Sequence, residues 1–340
     1  MIKSPKPSRF FTNDLMDKYR KTADFEADTW VQAYFEEVQI TGLRELFKWL
    51  SSSDLSWNTQ ADKVKAFFQE HHTIPLLANS QQMQRGLAFA QANQEDIALL
   101  LGCLSLPYCY AGADGARVLW MSERIRKDTR KRLEETGEFV FGVLNPQEWE
   151  VFFTKTISQY HLPNALIRII KVRLMHAVIR FFTIHYQTWR SDLWGKPVNQ
   201  EDMAGTNLAF SYMVLVGMRK NGNPPSDEDA EAYLHLWNVI NNWMGVSQDL
   251  LPQNTREAFV LSKIIAKRQF KRSEEGIGLT KALIEALESF IENPLLKSVP
   301  TAFMRFLLGD DTANLLEVPA LPFQKRLVQF IPVKQLFPKR

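Results

Sequence analysis

Two cysteines in 340 residues are too few to staple a disulfide-built secreted scaffold. Fifteen glycines and sixteen prolines exclude a fibrous or low-complexity chain. Long hydrophobic runs are also missing. The longest uncharged stretch, Ile97 to Ala113, falls short of the roughly 20 residues of a membrane-spanning helix and contains Pro107. The opening MIKSPKPSRFF has early lysines but no apolar run behind them, so no secretory signal is expected and a cytoplasmic location follows as the expectation. Charge of either sign is not in excess. Forty-one Lys+Arg against 38 Asp+Glu leave +3, which gives no dominant draw towards nucleic acid. The basic stretch from Arg124 to Arg132 is interleaved by Asp128 and flanked by Glu123, Glu134 and Glu135, and reads as a solvated helix face.

Common catalytic signatures are absent too. The chain has no HExxH zinc pair, no Walker loop and no G-x-S-x-G elbow. None of the six histidines follows a glutamate by three residues, which excludes the paired Glu-x-x-His motif of di-iron bundles.

What is present is apolar residue at helical spacing and abundant aromatic bulk, with 23 Phe and 9 Trp. Helices are predicted over 28–40, 43–50, 60–71, 81–91, 94–106, 117–136, 146–159, 163–188, 199–220, 227–245, 254–269 and 278–291. Ser226 reads as an N-cap, Pro146 as a first-turn residue, and Asn293-Pro294 as a stop. No Gly/Ser-rich linker divides the chain. The expected fold class is all-α: one helical domain over 1–340, with residues 1–27 and 310–340 as peripheral terminal segments. Both ends are basic, which allows a peripheral contact with an anionic membrane surface, although solvated termini are the simpler reading.

The stretch from Leu162 to His185 is apolar on nearly every side, as suits a helix at the centre of a bundle. Its polar residues must be paired or functional, because unpaired buried polar groups are costly. Arg173, His176 and Arg180 are spaced three and seven apart. A lone core histidine is commonly just hydrogen-bonded. It is also what a haem iron needs as axial ligand, with an arginine nearby for a propionate.

The run Val172-Arg-Leu-Met-His-Ala-Val178 resembles the V-R-x-x-H-A signature of the MpaB/rubber-oxygenase family. Arg132-Leu-Glu-Glu-Thr136 is similar to that family's R-L-x-x-T helix. Trp194 to Met203, Thr206 to Gly217 and Ser226 to Tyr233 resemble its later elements in the same order. The likeness covers roughly residues 75–250. It implies a globin-like helical core holding haem b and using O2. His176 would be the axial ligand to iron and Arg173 a support for the His176 helix or a propionate. Arg132 and Thr136 would stand on the oxygen-binding side. The implied chemistry is oxidative cleavage of a carbon–carbon double bond in a hydrophobic, isoprenoid- or lipid-like substrate.

Two departures matter. Glu135 stands where latex-clearing members carry a lysine able to reach the iron, so a lysine-capped resting form is not expected. The family's distal carboxylate has no clear counterpart, with Asp114 only near the region. The alternatives are a haem carrier or sensor without turnover, and a haem-free helical interaction protein.

Overall fold

A computed structural model describes residues 9–121, 129–154, 157, 158 and 160–321. Among these residues the chain is helical, with two isolated β-bridges and no strand. The helices begin where short polar side chains can take up orphan amides. Asp24, Asn79, Asn199, Ser226, Asn254 and Ser273 each accept a hydrogen bond from the first turn of the helix that follows. The cap read from sequence at Ser226 is present, its Oγ accepting from the Asp229 amide at 3.1 Å.

At the centre runs the helix Asn164–Tyr186, buried on most sides. It packs most extensively along Phe25–Leu50. That second helix bends at Gln39, where the backbone leaves helical geometry at φ 56°. The bend falls at the end of the helix predicted over 28–40, and the chain runs on without a break into the one predicted over 43–50. Ser80–Ala92 packs on Asp227–Trp243 on another side of the bundle. The run predicted as one helix over 94–106 is Gln94–Leu100, a π-helical turn Leu101–Ser105, and Leu106–Ala111. Pro107 is accommodated at the start of that last segment. The helix predicted over 199–220 breaks at Ser211 into Gln200–Phe210 and Tyr212–Lys220.

The terminal segments need correction. Residues from 9 to 27 are not peripheral. Met16, Tyr19 and Ala27 are buried, and Arg9 donates to the carbonyls of Gln248 at 3.1 Å and Asp249 at 3.3 Å. The segment is also stitched by Lys196 N to Arg20 O at 3.0 Å and Gln200 N to Thr22 O at 2.9 Å. Its amphipathic helix Asn13–Arg20 is too short to stand out from periodicity alone. Near the other end Val299–Leu308 is largely buried, as are Ala313, Leu316 and Val318. The terminal cations at Lys3, Lys6 and beyond 321, and residues 124–128 of the basic stretch, lie outside the described residues. No helix among the described residues is long and apolar enough to cross a membrane.

Candidate active site

A cavity of about 360 Å³ lies beside the central helix. Arg168, Val172, Met175, His176 and Ile179 of Asn164–Tyr186 line it, a stripe at helical spacing. The helix Thr129–Val143 adds Arg132, Leu133, Thr136 and Phe139 at the same spacing. Gln200–Phe210 adds Asp202, Met203, Thr206 and Phe210. Aromatic and aliphatic side chains make most of the wall, as in sites for apolar molecules.

The structure thus brings His176, Arg132 and Thr136 to one cavity. Burial holds the His176 imidazole down to about 3, and the Arg180 and Arg132 charges push the same way. The ring is therefore neutral. Its Nδ1 is buried without a hydrogen-bond partner, which leaves Nε2 as the nitrogen open to the cavity. Arg132 Nη1 donates to Glu135 Oε2 at 3.2 Å, and no other hydrogen bond engages its guanidinium among the described residues. The Thr136 hydroxyl donates back to the Arg132 carbonyl at 2.8 Å and retains lone pairs to accept.

Arg173, expected to support the His176 helix or a propionate, is turned towards another helix. It does not line the cavity. Its Nε and Nη2 grip Asp24 at 2.6 and 3.0 Å, and Nη2 also reaches Glu26 at 2.7 Å. The reason is angular. At about 100° per residue, Arg173 and Arg180 fall some 40–60° round the helix from His176, towards the start of Phe25–Leu50. Arg180 accordingly donates to Asp28 at 2.6 Å and to the Val198 carbonyl at 3.2 Å. Val198, a cavity residue, carries φ 49°, an unusual left-handed conformation for a β-branched side chain. Gly245, at φ 85°, lets Asp24 approach, since a Cβ there would lie 2.2 Å from Asp24 Oδ2.

Other cavity residues escaped the sequence reading. Asp202 meets Arg20 Nη1 at 2.5 Å, while Arg20 Nη2 stands 3.3 Å from Asp114. Asp114 is thus tied to the N-terminal segment. Burial, opposed by Arg20, raises the Asp202 carboxyl above the usual range. Lys171 donates to the carbonyls of Ser52 at 2.7 Å and Asp54 at 2.6 Å. Tyr110, buried in the wall, has no hydrogen-bond partner for its hydroxyl among the described residues. The one signal that pointed at Tyr110 is the proline in an apolar run. It lies two residues beyond a π-turn, Leu101–Ser105, a feature frequent beside functional sites.

No group of three or more His, Cys, Asp or Glu among the described residues could hold a metal ion directly. A macrocycle that supplies four of its own nitrogens asks for one imidazole and an apolar slot, and these residues fit it: a neutral His176 on a largely apolar cavity.

The family model described as "ER-bound oxygenase mpaB/B'/Rubber oxygenase, catalytic domain" matches residues 93–333. A rubber oxygenase of Streptomyces sp. (strain K30) is 23% identical over 313 residues, covering 90% of this chain and 73% of the relative. A solved structure of latex clearing protein in its closed state superposes with a TM-score of 0.75 at 21% identity, covering 94% of this chain and 86% of the other. At that identity the likeness speaks for the fold.

Proposed function

The chain belongs to the mpaB/rubber-oxygenase family, and from that premise we propose that it is a haem-b-dependent oxygenase acting on an apolar isoprenoid- or lipid-like substrate by cleavage of a C=C bond. The observation that carries the reading is His176: a neutral imidazole, with Nε2 open to a cavity that Arg132 and Thr136 also line.

His176 would hold the haem by its Nε2 lone pair. Haem b supplies a redox-active iron that activates molecular oxygen. Arg132, with most of its guanidinium unspent, would donate hydrogen bonds where negative charge develops on oxygen. Thr136, pinned to the Arg132 carbonyl, would fix the wall beside it and offer an acceptor. Phe139, Met175, Phe210 and Phe270 exclude water and bind the chain of the substrate by area. Arg173 would act at a distance, holding the His176 helix against Phe25–Leu50.

The test is an absorption spectrum of the purified protein, reduced, with and without carbon monoxide, alongside oxygen uptake with isoprenoid substrates. A stoichiometric Soret band that shifts with carbon monoxide, plus substrate-dependent uptake, is expected. Protein reconstituted with haem that shows no Soret band sinks the haem assignment. A Soret band with no uptake moves the protein to a carrier or sensor.

A further inference from the structure

The cavity wall includes a tyrosine hydroxyl to which the proposed function gives no role. Tyr110 is 4% exposed and lines the cavity, yet its hydroxyl meets no acceptor in the protein among the described residues. Burial pushes the phenol well up, so it stays protonated and acts as a donor rather than a base. The Arg132 charge is felt at the same phenol, which puts a second donor in its neighbourhood.

Tyr110 is held on a fixed support. It belongs to Leu106–Ala111, whose end is clamped by Lys271 N to Ala111 O at 3.1 Å and by a bridge between Gly112 and Phe270. The Tyr110 carbonyl packs where a Cβ on Gly276 would come within 2.5 Å. A side chain so anchored presents its hydroxyl in one place without losing freedom on binding.

Some other polar groups of the wall are already engaged, although Arg168 Nε and Trp237 Nε1 are buried with no hydrogen-bond partner among the described residues. Lys171 sits on two carbonyls, and Arg168 lies 3.4 Å from Glu138 and 3.7 Å from Glu148. A pure hydrocarbon filling the cavity would strip water from Tyr110 and return nothing, which buried donors resist. An oxygen atom on the ligand removes that mismatch.

We infer that the substrate is an apolar chain bearing one carbonyl or hydroxyl group, whose oxygen accepts a hydrogen bond from Tyr110, rather than a plain hydrocarbon. This rests on the reading of the cavity as the substrate site and names the substrate class.

The test needs no turnover. Binding of farnesal and of farnesene, which share an isoprenoid skeleton and differ in the oxygen, is measured by calorimetry on the full-length protein as purified. Its absorption spectrum, recorded on the same sample, reports haem separately. Wild-type protein is expected to prefer farnesal by roughly fivefold to tenfold. Tyr110→Phe should erase that preference by weakening farnesal alone, leaving farnesene within about twofold. The variant breaks no hydrogen bond among the described residues, so its melting temperature should be unchanged. Arg132→Met serves as the second variant and should reduce the preference in part. Equal affinities in wild type, equal loss for both ligands in Tyr110→Phe, or binding of neither ligand overturns the inference. Absence of haem with the preference intact overturns the proposed function and leaves the ligand class standing.

Discussion

Arg173 stands three residues before His176, yet its guanidinium closes a two-pronged pair with Asp24, Nε to Oδ2 at 2.6 Å and Nη2 to Oδ1 at 3.0 Å. Asp24 also caps the helix Phe25–Leu50 through the Ala27 amide at 3.3 Å. One carboxylate thus ties the start of the second helix to the middle of the central one. Both side chains are about nine-tenths buried, so the pair is shielded from solvent.

Arg173→Met should therefore cost about 3–5 kcal/mol of stability, because it leaves the Asp24 carboxylate buried without its guanidinium partner. The double variant with Asp24→Asn should recover much of that loss while keeping the cap. Urea unfolding of the three variants measures this. A cost under about 1 kcal/mol together with a shifted haem spectrum would return Arg173 to the cofactor.

His176→Gly should lose stoichiometric haem and regain a Soret band when imidazole is added, since the deletion leaves a hole shaped for the missing ring. The readout is haem content against imidazole concentration. Haem retained at wild-type stoichiometry without imidazole would remove His176 from the axial position.

Helical spacing makes Arg132 and Thr136 neighbours, but their grouping with His176, on another helix, was implied only by the family resemblance. The helices themselves were legible from the same spacing. Arg173 was not. A residue three along a helix shares a face only loosely, and the carboxylate that decided its direction lies 149 positions away. Tyr110 was hidden differently, inside an uncharged run that reads as core. Asp202 belongs to a loop-and-helix stretch whose charge is matched by Arg20, from a segment with too little periodicity to predict.

Arg132→Ala should leave haem bound and slow oxygen chemistry by roughly a hundredfold, the usual loss when one donor aimed at developing charge is removed. Glu135→Ala should have a milder effect of the opposite kind, because it frees Nη1 from its 3.2 Å contact. Oxygen uptake at saturating substrate, with haem content measured in parallel, separates these outcomes. Loss of haem in Arg132→Ala would make the residue a cofactor anchor instead.

Lys171 gives a prediction in pH. Its ammonium is held down to about 8, chiefly by burial and in part by the Arg168 charge, with Asp54 and Glu138 opposing. An unfolded chain would keep that proton to about 10.4. Between these values the unfolded state binds more protons than the folded one, so stability contributed by this group rises with pH. The slope is at most about 1.4 kcal/mol per pH unit, reduced by the partial access of solvent. Below about pH 8 both states are charged and the slope vanishes. Lys171→Met removes the titrating group, so the difference in unfolding free energy between wild type and variant should climb from pH 8 to 10 and be flat from pH 6 to 7.5. A difference that is flat throughout would mean that the ammonium is as well solvated by the Ser52 and Asp54 carbonyls as by water, and that burial there carries no electrostatic cost.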